Sequence, residues 1–151
     1  MPRLIPFVPR VPYLSPPMRD YPACTGQRVP GGVPGDEPQQ VAKAGRDKAE
    51  ALAFGVFHTV IPGTFVVDFD LLISNAPPDQ LAVTLDVSVN RGRMSLIRHY
   101  LTGDVDRVVS LPVNVKQLDI VEPRVFYAGV GDVIFRGARL RELPPATSPR
   151  R

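Results

Sequence analysis

From Phe54 onward the apolar residues recur at every second position, and that period fixes the class of fold. In Leu81–Asn90, Leu81, Val83, Leu85, Val87 and Val89 alternate with Ala82, Thr84, Asp86 and Ser88. In Thr64–Ser74, Phe65, Val67, Phe69, Leu71 and Ile73 face one way, and Asp68 and Asp70 fall on the other side. A period of two marks strands with one dry and one wet face. Further strands are predicted at 94–101, 105–115, 118–127 and 132–141. Asn75-Ala76-Pro77-Pro78-Asp79, Asn90-Arg91-Gly92, Thr102-Gly103-Asp104 and Gly129-Val130-Gly131 punctuate them as turns. Regularly spaced strands without a strong intervening helix predict an all-β, antiparallel sandwich or barrel of six to eight strands over 54–143. Pro112 and Pro123 lie inside two of the runs, which places them on edge strands or at bulges.

The N-terminal quarter follows another rule. Ten of the 18 prolines precede Gln39. Each fixes its own φ and pushes the preceding residue towards extended geometry, so neither helix nor central strand fits that spacing. Between them lie Leu4, Ile5, Phe7, Val8, Val11, Tyr13, Leu14, Met18 and Tyr21, where a solvated spacer would carry Ser, Gly, Glu or Lys. Residues 1–40 therefore read as an extended arm with a Gly/Pro joint at 31–40. Its apolar side chains must be buried against something, a neighbouring subunit or, as the alternative, its own domain, and its prolines lower the entropy lost on docking. Seven large apolar side chains at ~1.5–3 kcal/mol each amount to roughly 10–20 kcal/mol of gross burial. The expected partner-binding residues are Leu4, Ile5, Phe7, Val8, Val11, Tyr13, Leu14 and Tyr21. Deleting residues 2–30 is expected to remove partner binding and leave the domain intact. Residues 41–53, VAKAGRDKAEALA, have helical propensity weakened by Gly45 and predict a short helix or turn. Residues 144–151 form a basic tail.

Charge and cysteine content narrow the function classes. The net charge is +3, but residues 41–135 carry nine basic and eleven acidic groups, so the basicity sits at the C-terminal end. A nucleic-acid-binding domain concentrates cations on one folded face, with aromatics interleaved for single strands; that pattern is absent, and no nucleic-acid partner is expected. Prolines interrupt every early apolar run, so no secretory signal is read there. No segment approaches the ~20 apolar residues of a membrane helix, so no membrane partner is expected. Cys24 is the one cysteine, and it excludes an internal disulfide.

Catalytic chemistry finds little footing. His58, His99 and Cys24 have no metal-ligand spacing, so no metal and no cofactor are expected. Cys24 lies in the arm, a poor place to hold a nucleophile against a base. Asp68, Asp70 and Asp86 read as the solvated face of half-exposed strands rather than as an acid–base pair. Gly129-x-Gly131 lacks the following helix that would bind a phosphate. The chain is expected not to be an enzyme.

Two resemblances carry further expectations. Val125-Phe126-Tyr127-Ala128-Gly129-Val130-Gly131-Asp132-Val133-Ile134-Phe135 resembles the last hairpin of jelly-roll carbohydrate-binding modules. That implies a jelly-roll-like topology and an alternative role as a carbohydrate- or protein-binding β-sandwich module. There is no Trp, and Tyr100 and Tyr127 are the domain's only tyrosines, a thin platform for sugar stacking. The architecture as a whole, an apolar arm on a compact β-domain, resembles the capsid decoration proteins of tailed bacteriophages. The resemblance implies a homotrimer on the capsid exterior of a virion assembled in the host cytoplasm. Its arms would bind the major capsid protein and neighbouring copies of itself. The Arg-rich, amide-poor composition suits a thermophilic host and a thermostable protein. Ligands that bind only the assembled shell stabilise it by mass action, and three linked arms add avidity.

Overall fold

The computed structural model describes residues 21–31 and 38–143. The expected arm residues Leu4, Ile5, Phe7, Val8, Val11, Tyr13 and Leu14, and the tail 144–151, lie outside the described residues. The fold is all-β and antiparallel, a jelly-roll-like sandwich. Ten strands are present among the described residues: β1 (Gln27–Val29), β2 (Gln39–Ala42), β3 (Ala51–Ala53), β4 (His58–Val60), β5 (Gly63–Ser74), β6 (Leu81–Val89), β7 (Met94–Thr102), β8 (Val105–Val115), β9 (Asp119–Tyr127) and β10 (Asp132–Glu142). One sheet, here called the β5 sheet, has the order β1-β2-β10-β5-β8. The other, the β6 sheet, runs β3-β9-β6-β7, with β4 also paired to β9. The chain crosses between sheets after β2, β4, β5, β7, β8 and β9; β1 with β2 and β6 with β7 are the consecutive antiparallel partners within one sheet among the described residues.

The period-two residues are the core. Phe65, Val67, Phe69, Leu71 and Ile73 of β5 meet Val83, Leu85, Val87 and Val89 of β6 across the sandwich, all buried. Val109, Leu111, Val113, Val121, Val125 and Leu140 complete the layer. Each fully buried Val, Leu or Phe contributes ~1.5–3 kcal/mol relative to exposure, so this layer is the main source of stability. Pro112 sits on β8, an edge strand, opposite Val66. Pro123 is accommodated differently. β9 is flanked by β4 up to Val121 and by β3 from Val125, and Pro123 falls between the two.

The segment 41–53 holds no helix. Gln39–Ala42 pairs with β10 and Ala51–Ala53 with β9, leaving only the turn between them. Asp47 Oδ2 fastens that turn, accepting from the Lys43 backbone N–H at 2.8 Å and from Arg46 Nε at 2.9 Å. The sheet-edge bonds offered by β9 and β10 override the local helical preference.

The domain also begins earlier than position 54. The Cys24 and Thr25 N–H groups donate to the Ala51 carbonyl at 2.8 and 3.2 Å, and the Phe54 N–H donates to the Pro22 carbonyl at 3.1 Å. Tyr21 is 7% exposed, with its ring edge-on to Phe135 at 5.2 Å. Its hydroxyl donates to the Ala138 carbonyl at 3.0 Å and accepts from the Ala138 N–H at 2.9 Å. The ladder is interrupted there: the register of β10 against β5 shifts between Phe135 and Gly137. The phenol thus satisfies a backbone pair beside a bulge. Tyr21 is a core residue of its own chain, not a contact for a foreign surface. Removing residues 2–30 would strip the sandwich of Tyr21 and β1.

Candidate functional site

The outward face of the β6 sheet departs from the expected solvated face. Three strands present matched rows there. Arg98, Asp86 and Arg124 lie side by side on β7, β6 and β9, and Tyr100, Thr84 and Phe126 form the next row. Asp86 has no exposed side-chain surface. It accepts from Ser95 Oγ at 2.7 Å, pairs with Arg124, and lies 3.8 Å from Arg98 Nε. A carboxylate between two cross-strand guanidiniums is neutralised locally, which is why it tolerates removal from water. Asp68, on the outward side of the other sheet, is likewise buried and held by Arg141 at 2.8 Å and Ser110 Oγ at 2.6 Å. Of the three aspartates read as a solvated face, Asp70 alone stays half-exposed, 3.3 Å from Arg136.

At the β9 side of the face lies an open cleft of about 520 Å³. Phe54 and Phe57, from the β3–β4 connection, form one wall with Cys24 and Gly55; Glu122, Arg124 and Phe126 of β9 form the floor; Arg91 and Gly92, from the β6–β7 turn, close the rim. The turn reaches the cleft because Asn90, Arg91 and Gly92 all take positive φ, at 55°, 57° and 83°. Asn90 adopts this region readily, whereas Arg91 does so at a cost of order 1–3 kcal/mol. Asp119 secures the turn by accepting the Asn90 N–H at 2.9 Å. Gly92 suits the positive φ, and a side chain there would also press on the cleft floor. A Cβ there would stand 3.1 Å from Glu122 Oε1 and 3.3 Å from Arg124 Nη1.

The polar groups of the floor are held in place. Glu122 is buried, and its Oε2 accepts the Gly55 N–H at 2.6 Å. This bond fills the interval where β9 has no flanking strand. The Arg124 guanidinium packs over the Phe126 ring, 5.4 Å from its centroid, while pairing with Asp86. Its Nε is buried without a hydrogen-bond acceptor, so a donor remains unsatisfied at the floor. Phe57 is 49% exposed, an unusual position for a phenyl ring beside a concave, charged floor. Together these groups offer apolar ring faces and fixed hydrogen-bonding groups to one small ligand volume.

The residues read from sequence as catalytic or metal-binding possibilities do not converge. Among the described residues there is no cluster of His, Cys, Asp and Glu able to hold a metal. His58, on β4, is kept neutral to lower pH than usual by burial. Of the two domain tyrosines, Tyr127 is buried and donates to the Gly131 carbonyl at 2.7 Å, whereas Tyr100 is 59% exposed on the β6-sheet face. Phe54, Phe57 and Arg124 carry no sequence motif, and Arg91 was read only as part of a turn. Phe126 falls in the hairpin stretch that resembles carbohydrate-binding modules, and the alternation sets it outward on a strand whose next residue, Tyr127, is core.

The fold and cleft define a two-sheet antiparallel β-sandwich with a ring-and-guanidinium cleft on one sheet face. No protein-family model matches the sequence, and no curated protein matches it. Among solved structures it is similar to the C-terminal CBM6 of LamC, a marine laminarinase from Zobellia galactanivorans, at 11% identity and a TM-score of 0.47, over 78% of this chain and 88% of that one. It is also similar to the sugar-binding C-terminal domain of EclA, at 12% identity and a TM-score of 0.41, over 68% and 76% of the two chains. A third is TmCBM61 in complex with β-1,4-galactotriose, at 13% identity and a TM-score of 0.39, over 70% and 82%.

Proposed function

We propose that this chain is a non-catalytic binding module that holds a glycan in the cleft on the outer face of the β6 sheet. The observation that carries the reading is the convergence of Phe54, Phe57 and Phe126 with Arg91, Glu122 and Arg124 on one open volume. A pyranose has apolar C–H faces and a rim of hydroxyls. Aromatic rings receive the faces, and guanidinium and carboxylate groups bond the rim. Glu122 and Arg124 are already fixed by Gly55 and Asp86, so little side-chain entropy is lost on binding.

The test is calorimetric titration of the full chain with β-linked glucan, galactan and polyuronate oligosaccharides. Phe57 is about half buried before ligand arrives, so covering the rest of its ring is worth ~1–2 kcal/mol. Phe57→Ala should therefore weaken binding roughly 5- to 30-fold. Binding by none of these sugars, or an unchanged affinity in Phe57→Ala, would refute the reading. The capsid-lacing role is a separate proposal resting on Leu4 to Leu14 and makes no use of the cleft. Co-sedimentation of a homotrimer with assembled capsids, lost on removal of those residues, is its test.

A further inference from the structure

We infer that the ligand is an extended oligosaccharide lying across the strands, and that Tyr100 and Arg98 on β7 form its far subsite. The inference rests on the glycan reading of the cleft and specifies the length and direction of what is bound. Its basis is the register of the β6 sheet. Phe126, Thr84 and Tyr100 stand opposite one another on β9, β6 and β7, so the two rings share one row at right angles to the strands. They are two inter-strand spacings apart, about 10 Å. That is close to the repeat of an extended β-linked chain, which presents an equivalent sugar face at every second unit. Thr84, between them, is short and partly covered, so the floor between the rings stays low.

The neighbouring row supplies polar contacts along the same line. Arg124, Asp86 and Arg98 run parallel to the rings, with Asp86 buried and both guanidiniums drawn towards it. Arg98 keeps 55% of its side-chain surface exposed, so its remaining N–H groups are open to a ligand hydroxyl. Nothing in the fold requires the Tyr100 ring to be there. It is 59% exposed on an edge strand, and Leu101, His99 and Ile97 face the opposite side of β7. A cross-strand pairing with Thr84 would account for some sheet stabilisation, but that role does not depend on ligand length.

Chain length therefore provides the test. Full-length protein is titrated with β-1,4-linked glucan and mannan oligosaccharides, both extended ribbons, from disaccharide to hexasaccharide. Wild-type affinity should rise about tenfold along the ladder, ~1.4 kcal/mol. Tyr100→Ala should abolish that rise, so that it binds the hexasaccharide no more tightly than the disaccharide, whereas Tyr100→Phe should keep it. Urea denaturation of Tyr100→Ala should stay within ~1 kcal/mol of wild type, because the ring is exposed and only its cross-strand pairing is lost. If Tyr100→Ala binds the hexasaccharide as wild type does while Phe57→Ala has lost it, the track across the strands is refuted and the cleft reading survives. If neither these ladders nor the other sugars that test the cleft bind wild type, both fall.

Discussion

Breaking the Asp86–Arg124 pair should cost far more than removing an ordinary surface ion pair. Asp86 is wholly buried and Arg124 is 19% exposed, so loss of the carboxylate charge leaves a guanidinium with little water to compensate it. Removing one partner of a fully buried pair costs ~3–5 kcal/mol. The residual exposure of Arg124 and the solvent-facing position of Arg98 reduce this, and about 2–3 kcal/mol is expected for Asp86→Asn. For a domain of this size each kcal/mol lowers Tm by ~2–4 °C, so the midpoint should fall by roughly 5–10 °C. Urea denaturation of wild type, Asp86→Asn, Arg124→Met and the double variant that combines the two measures the coupling directly. The double variant removes both charges and should recover at least ~1.5 kcal/mol relative to the sum of the single changes. An Asp86→Asn protein within ~0.5 kcal/mol of wild type, or strict additivity in the double variant, would show that the pair is solvated and the reasoning wrong.

Two other perturbations probe the base of the arm and the pH response. Tyr21→Phe leaves the Ala138 N–H and carbonyl without their shared partner and should cost ~1–3 kcal/mol by urea denaturation, and deletion through residue 30 should abolish the cooperative transition; a Tyr21→Phe midpoint equal to wild type would place the phenol outside the core. Burial lowers the pKa of His58 from 6.5, so between that value and the folded one the unfolded state binds more protons. Stability should therefore fall as pH drops below about 6.5 and level off beneath the folded pKa, and thermal melts of His58→Gln against wild type from pH 7.5 to 4.5 should show a flatter profile in the variant.

The long strands could be read from sequence because burial on one face repeats often enough to set a period. The alternation placed a strand at 64–74, and β5 occupies Gly63–Ser74; 132–141 became Asp132–Glu142. β1, β3 and β4 have three residues each, too few to show a period, and they form because β2 and β9 offer them partners. The Ala-rich stretch at 41–53 misled for the same reason: helical propensity is a local preference, whereas the bonds that decide the matter come from partners 72 to 93 positions away. Tyr21 was misplaced because an aromatic among prolines looks the same whether it is covered by a foreign surface or by its own Phe135.

The site was illegible for a further reason, which bears on what it can bind. Its rows run across strands, so residues adjacent in space, such as Arg98, Asp86 and Arg124, are separated in sequence by a turn, a crossing and a second strand. Alternation assigns Asp86 to the wet face, but only register shows that an arginine flanks it on each side and that the face is dry at its centre. A face built this way is stiff. Asp86 is held between Arg98 and Arg124, the turn is fixed by Asp119, and Gly92 stands close against Glu122. A rigid, shallow surface with two rings two inter-strand spacings apart suits a ligand that is flat and repetitive, and it suits poorly a peptide whose side chains vary from one position to the next. The rise of affinity with oligosaccharide length is therefore the property in which a sheet-face site and a single-pocket site differ most.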